Sequence, residues 1–199
     1  MQLIYRQEPS LSSTRLDRDL LGSVKHPGQK AYDGSKAMPV TVRLEDIVEA
    51  LEMQFESASS FLDCETGQVE TVTHELLSEA ERGTEPSLLP DWQKPEWETA
   101  KQIASGGRFV SLPSQFDIHE WSIMEDFAAS VKSDRIRGEL LDAIHGAGAF
   151  RNFKSAIRRR RIEKDWFAFR LEALKEIAIE WCEEHEIAWQ QGGEGKAGA

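Results

Sequence analysis

The chain has 199 residues, of which 40% are hydrophobic and 30% are charged, and its formal net charge is −11. This size suits one ordinary globular core, and no run of about 18 apolar residues is present to form a transmembrane helix. The N-terminus lacks a secretory signal pattern, and two cysteines, Cys64 and Cys182, fit a reducing compartment. We therefore expect a cytoplasmic protein without a membrane partner.

The charge is distributed unevenly along the chain. Between residues 148 and 170, eight basic side chains face only two acidic ones, so this segment carries +6 and the remainder carries −17. The basic residues are Arg151, Lys154, Arg158, Arg159, Arg160, Arg161, Lys164 and Arg170. A globally acidic chain is a poor general nucleic-acid binder, because phosphate attraction dominates non-specific binding. The basic strip instead indicates a docking face, or an intramolecular partner for the acidic surface.

Three regions follow from the composition along the chain. Residues 1–37 are rich in serine, glycine and proline and lack periodicity, which predicts a flexible N-terminal extension. Regular patterning begins directly after Met38, which we interpret as an alternative start site; an ordered N-terminal arm is the other interpretation. Residues 38–190 are predicted to form a single globular domain. Residues 191–199 are small and polar, and we expect a disordered tail.

The first half of the domain alternates between helix and strand signals. Apolar residues at i, i+3, i+4 and i+7 from Leu44 predict a helix. Two strands around a turn at Gly67 predict a hairpin. The predicted elements of this half are the helix from Leu44, strands Ser60–Asp63 and Val69–Val72, helical turns Glu75–Glu81, a loop Gly83–Pro95 anchored by Trp92 and Trp97, and a helix Glu96–Ala104.

The second half begins with a short strand at Phe109–Leu112 and continues as helices. Asp117 is predicted as an N-cap with Glu120 three residues on, and Ser133 or Asp134 caps the next helix, which ends at Gly146. The remaining predicted elements are a helix burying Phe150, Phe153 and Ile157, a helix Trp166–His185 burying Phe167, Leu171, Leu174, Ala178 and Trp181, and a closing strand Ile187–Trp189. This order predicts an α+β fold with a small antiparallel sheet of about four short strands and six or seven packed helices.

Several segments together resemble one known family. They are LEDIVEALEM at Leu44–Met53, FLDCETG at Phe61–Gly67, Leu112-Pro113 with Asp117 and Ile123–Glu125, AIHGAGAFRNFK at Ala143–Lys154, WFAFR at Trp166–Arg170 and WCEEH at Trp181–His185. They resemble the bacterial Uncharacterised Protein Family 0158, over roughly residues 38–189. The resemblance implies bacterial origin and these domain limits, and it implies no activity. Ala147 departs from the family, whose members often carry a basic residue between the two glycines.

The glycine turn His145-Gly-Ala-Gly148 allows two interpretations. Free backbone N–H groups before a helix can bind an anion, and Arg151 and Lys154 would add positive charge. The alternative is an αα-hairpin in which Gly146 ends one helix and Gly148 permits close packing. Without a preceding strand, a glycine pair is not the dinucleotide-binding fingerprint, which favours the hairpin.

No specific catalytic motif is present, so three hypotheses are carried forward. The preferred one is a non-catalytic binding or regulatory module that docks an acidic protein or nucleic acid through Arg151, Lys154, Arg158, Arg159, Arg160, Arg161 and Arg170. The alternative is an enzyme acting on a phosphorylated or nucleotide substrate. In it, Arg151, Lys154 and Arg170 would hold the phosphate, and Glu125 or Asp126 would serve as base or metal ligand. A third is a homo-oligomer whose acidic and basic faces pair.

We expect neither a metal nor an organic cofactor, because Cys182 and His185 form a lone pair and zinc needs four ligands. Phe150, Phe153 and Phe167 flank the arginines, and their spacing predicts core positions.

Overall fold

The computed structural model describes residues 40–85 and 90–192. The predictions for residues 1–37, and for the tail from residue 193 onward, lie outside the described residues. Seven helices occur in the described ranges: α1 Leu44–Glu52, α2 His74–Glu81, α3 Lys94–Ser105, α4 Glu120–Ser130, α5 Asp134–Ala143, α6 Ala149–Arg160 and α7 Glu163–Glu184. The strands are β1 Val42–Arg43, β2 Ala58–Asp63, β3 Val69–Thr73, β4 Phe109–Ser111 and β5 Trp189–Gln190. The α+β class is confirmed.

The strands form two separate sheets. The larger is antiparallel with the order β3-β2-β4. It contains the hairpin that the sequence predicted, in which Ser60 pairs with Thr71. The closing strand lies at residues 189–190 and pairs in parallel with β1, placing Val42 opposite Trp189. The sequence predicted one antiparallel sheet of about four strands. The structure instead has an antiparallel sheet of three strands and a separate parallel pair of two-residue strands.

The principal core lies between α1, the sheet and the helices α4–α7. Phe127 of α4 is its aromatic centre, with its ring 5.3 Å from that of Trp166 and 6.1 Å from that of Phe153, both edge-to-face. Such pairs each add about 0.5–1.5 kcal/mol beyond the burial of apolar area. Because Phe153 and Trp166 belong to α6 and α7, these contacts fix α6 with one face against the core.

A second, smaller core holds α2 and α3 against β3. It contains Val72, Leu76, Trp97 and Ala100, all of them buried. The predicted anchoring role of Trp97 is confirmed, whereas that of Trp92 is wrong, because 74% of Trp92 is exposed. Trp92 lies in a short 3-10 turn before α3 and so projects away from this core.

The predicted capping box at the start of α4 is wrong. The helix begins at Glu120, after His119 in a left-handed conformation with φ 46°. Asp117 instead closes a turn, since its Oδ2 accepts hydrogen bonds from the N–H and the hydroxyl of Ser114 at 2.8 and 2.6 Å. By contrast, Ser133 caps α5 as predicted, with its hydroxyl accepting from the N–H of Ile136.

Candidate binding site on helix α6

Helix α6 is defined by special backbone conformations at both of its ends. Gly146 and Gly148 have φ values of 79° and 81°, which favour glycine, and together they join α5 to α6 as an αα-hairpin. At the other end Arg161 has φ 58° and turns the chain into α7. Between these points Phe153, Ala156 and Ile157 are buried. The opposite face of α6 is therefore directed toward solvent.

The outer face of α6 forms a shallow, open concavity of about 640 Å³. Its lining residues are Phe150, Arg151, Lys154, Ser155, Arg158 and Arg159. All six belong to α6, so the concavity is a strip along one helix and not a cleft between elements. Arg151, Lys154 and Arg158 follow i, i+3, i+7 spacing, which places the three cations on one side of the helix.

Two of the four consecutive arginines share one carboxylate within the protein. Arg159 and Arg160 each donate two hydrogen bonds to the carboxylate of Glu139 on α5, including Arg160 Nε to Oε2 at 2.7 Å. The hydrogen bonds from Arg159 and then Arg160 lower the pKa of Glu139. These two arginines therefore help to hold α6 against α5, and only Arg159 also lines the concavity.

Arg170 belongs to a different group of charges. Its Nε donates to Glu120 Oε1 at 2.7 Å, and its Nη1 lies 3.5 Å from Glu52 Oε1. Arg170 thus links α7 to both α1 and α4, and it does not line the α6 concavity. The structure does not bring this predicted binding residue together with the others.

The remaining cations of the strip have few partners among the residues that the structure describes. Arg158 lies 3.3 Å from Glu163, yet 79% of its side chain is exposed. Arg151 and Lys154 are exposed and form no ion pair in the part of the chain that the structure describes. Arg161, at the end of α6, is exposed as well. Three cations of the concavity, Arg151, Lys154 and Arg158, are therefore available to a ligand; we call them the α6 cations.

Two phenylalanines that the sequence predicted in the core are exposed. Phe150 is 50% exposed and Phe167 62%, whereas Phe153 is buried as predicted. Phe150 stands in the first turn of α6, beside residues 145–148, which are themselves exposed and offer it no apolar cover. On α7, Phe167 lies seven residues before the buried Leu174 and so near the same face of the helix, yet it is exposed. The ring of its neighbour Trp166 is the one that packs in the core, against Phe127 and Phe153.

The residues of the enzyme alternative do not converge. Glu125 and Asp126 are exposed on α4, and within residues 40–85 and 90–192 no hydrogen bond or ion pair joins them to the α6 cations. No cluster of three potential metal ligands occurs among the described residues. His185 Nδ1 donates a 2.8 Å hydrogen bond to the Trp181 carbonyl and so caps the end of α7.

The sequence did not single out the most strongly perturbed carboxylate, Asp63. It is 4% exposed at the end of β2, and Arg108 donates to it from Nε at 2.8 Å and from Nη2 at 2.5 Å. Burial disfavours its charge, but hydrogen bonds from Arg108, the Glu65 N–H and the Thr66 hydroxyl outweigh burial and lower its pKa to about 2. One signal in the sequence could have identified Asp63. It begins the turn Asp-x-x-Thr-Gly at residues 63–67, and an aspartate at the start of such a turn accepts hydrogen bonds from the backbone that follows it.

A second groove of about 80 Å³ lies beside the sheet. Its rim includes Phe55 and Phe116, and on its surface Ser59 Oγ lies 2.9 Å from His74 Nε2. No carboxylate hydrogen-bonds to His74 among the described residues, so the pair lacks the third group that orients a catalytic histidine. We assign no function to it.

The fold and the site together define a class of protein: a largely helical α+β domain with an exposed basic helix. None of its described helices is long and apolar enough to cross a membrane. The chain belongs to the uncharacterised protein family UPF0158, whose sequence profile matches residues 37–192. The match confirms the resemblance, and the matched residues include both sheets and all seven described helices. No curated protein and no solved structure matches the chain.

Proposed function

We propose that this protein is a non-catalytic binding module that docks an acidic partner on the outer face of α6. The observation that carries the proposal is that, on a strongly acidic protein, two cations of this face have no ion-pair partner among the described residues. The chain has 35 acidic and 24 basic side chains, so carboxylates are abundant. Nevertheless Arg151 and Lys154 form no ion pair with any described residue, while Arg159 and Arg160 share Glu139.

An isolated surface ion pair contributes little to stability, typically about 0–1 kcal/mol, so pairing alone would not explain this arrangement. Clustering like charges on one side of a helix is unfavourable, since cations at i and i+4 repel each other by a few tenths of a kcal/mol. A partner with complementary charge would relieve that repulsion and be attracted to the strip. This supports a docking face in preference to a solvated helix surface.

The test uses heparin as a defined polyanion. A protein of net charge −11 should pass through a heparin column unless a local basic face retains it. We expect the wild type to be retained, and Arg151→Glu/Lys154→Glu to elute without retention. Lys101→Glu/Lys132→Glu is the matched control, because both lysines are exposed and the change of net charge is the same.

The two variants separate the proposal from a general charge effect. If the control loses retention to the same extent as the α6 variant, retention follows net charge and the docking face is wrong. If the wild type is not retained at all, the proposal is also wrong. Circular dichroism and urea unfolding of each variant establish that the fold is intact; we expect changes of stability within about 0.5 kcal/mol at these exposed positions.

A further inference from the structure

The exposed ring of Phe150 distinguishes the α6 strip from a purely ionic surface. Phe150 lines the same concavity as Arg151, Lys154 and Arg158, and half of its surface is exposed. An exposed large apolar residue normally has no consequence when it stands alone. Here it stands next to three cations of one helix face, so aromatic and positive groups are presented together.

We infer that the partner of the α6 face is a single-stranded nucleic acid, with a base stacked on Phe150 and phosphates held by the α6 cations. This inference rests on the proposed function and adds the chemistry of the partner to it. Proteins that bind single strands without sequence preference combine a positively charged track with aromatic side chains on which bases stack. The α6 strip contains both components within one concavity.

Other polyanions fit the strip less well. The carboxylates of an acidic protein surface would satisfy the cations, but they offer the ring of Phe150 no flat face for stacking. A duplex keeps its bases stacked inside, so Phe150 would have no accessible base face, and binding would depend on charge alone. A net charge of −11 opposes such purely electrostatic attachment. A single strand adds stacking energy, which does not depend on the net charge of the protein.

The number of available cations fixes the expected strength of the salt dependence. For single strands, log K falls with log[salt] with a slope of roughly −0.7 for each phosphate neutralised, so three contacts give about −2. The strip from Arg151 to Arg158 spans seven residue steps, or about 10 Å of helix, which limits contact to a few nucleotides. We therefore expect weak binding that saturates with short oligonucleotides.

The test is fluorescence anisotropy with labelled oligomers of about twelve nucleotides: oligo-dT, oligo-U and an abasic oligomer of equal charge. We expect both base-containing oligomers to bind, with a salt slope of about −2, since phosphates and base faces are common to DNA and RNA. The abasic oligomer should bind at least about 5-fold more weakly, because base–aromatic stacking contributes about 5- to 150-fold per base. Arg151→Gln should reduce the slope by about 0.7.

Variants of the ring provide the decisive comparison. Phe150→Ala should weaken oligo-dT binding to the level of the abasic oligomer, while Phe150→Trp should retain the difference between the two. Phe116→Ala is the matched control, since Phe116 is 79% exposed and lies outside the α6 strip. We expect it to bind both oligomers like the wild type.

The possible results separate this inference from the proposed function. The inferred stacking of a base on Phe150 is wrong in two cases: if the abasic oligomer binds as tightly as oligo-dT, or if Phe150→Ala leaves the ratio of the two dissociation constants unchanged. If an acidic peptide binds and the oligonucleotides do not, the partner is a protein. In both cases the inference is overturned, while heparin retention that depends on Arg151 and Lys154 still supports the docking face. Loss of that dependence would overturn the docking face itself.

Discussion

Replacing Asp63 with asparagine should destabilise the protein at neutral pH by about 2–3 kcal/mol and remove part of its acid sensitivity. The native pKa is about 2, against an ordinary value of 3.8. Each unit of difference in pKa between the folded and unfolded states corresponds to about 1.4 kcal/mol, so the ionised carboxylate contributes about 2–3 kcal/mol to stability. The contribution comes from the hydrogen bonds between Arg108, which directly precedes β4, and Asp63 at the end of β2. These bonds link the two strands.

The pH dependence has a definite sign. Because the folded-state pKa is lowered, the contribution is fully present above about pH 5 and is lost as the pH falls toward 2. From these two pKa values, we expect about 1 kcal/mol, roughly half of the effect, to disappear between pH 7 and pH 3. The difference in stability between wild type and Asp63→Asn should shrink by that amount.

The assay is urea unfolding of both proteins at several pH values, with Asp126→Asn as the control for loss of one negative charge. Asp126 is exposed on α4, so its replacement should have little effect at neutral pH. A wild-type advantage over Asp63→Asn that stays constant from pH 7 to pH 3 would show that Arg108 does not lower the pKa of Asp63 in the native state.

Three further predictions concern other parts of the molecule. Glu139→Gln should raise the salt concentration needed to elute the protein from heparin, because it frees Arg159 and Arg160; unchanged or earlier elution would argue against the docking face. Gly138→Ala should stabilise α5 by about 0.5–1 kcal/mol in urea unfolding, since an added Cβ meets nothing within 4 Å, whereas Gly148→Ala, at φ 81°, should be destabilising. Burial raises the pKa of both Cys64 and Cys182 to about 11, so a thiol reagent at pH 8 should label the native protein slowly and the urea-unfolded protein fast; equal rates would contradict the buried positions.

Local signals in the sequence predicted most of the fold. The spacing of Leu44, Ile47 and Leu51 identified α1, the turn at Gly67 identified the hairpin, and Ser133 identified the start of α5. These features depend on neighbours within a few residues, where periodicity and capping are informative. For this reason the predicted class was correct, and the seven helices of the described residues agree with the predicted six or seven.

Features that depend on distant partners were missed. Asp63 and Arg108 are separated by 45 residues, and the sequence around each of them does not predict their ion pair. The sequence pattern placed Phe167 in the buried stripe of α7 and left out Trp166. Helix α7 has apolar residues on several faces, and only its packing against α4 and α6 decides which of them is buried. The same limit applies to Phe150, whose spacing fits the core but whose position at the glycine turn leaves it uncovered.

The candidate site was predicted in part. The basic strip was evident from composition, and the structure places Arg151, Lys154, Arg158 and Arg159 around one concavity. Sequence could not divide the arginines into free and paired groups, because Glu139 lies 20 residues from Arg159 and about as far from Arg160. It is this division, and not the total charge, that defines which cations a ligand can reach.

The parallel pairing of β1 with β5 has a consequence for how the chain is made. Val42 pairs with Trp189, and the N–H of Gly192 donates to Glu45 Oε1 at 2.7 Å across a separation of 147 residues. During synthesis α1 must therefore wait for α7 and β5 before its apolar face is covered. Contacts between such distant residues form late, since a long loop must close first. Ribosome-bound chains that stop before α7 would expose Leu44, Ile47 and Leu51, and so offer chaperones a binding segment that the finished domain conceals.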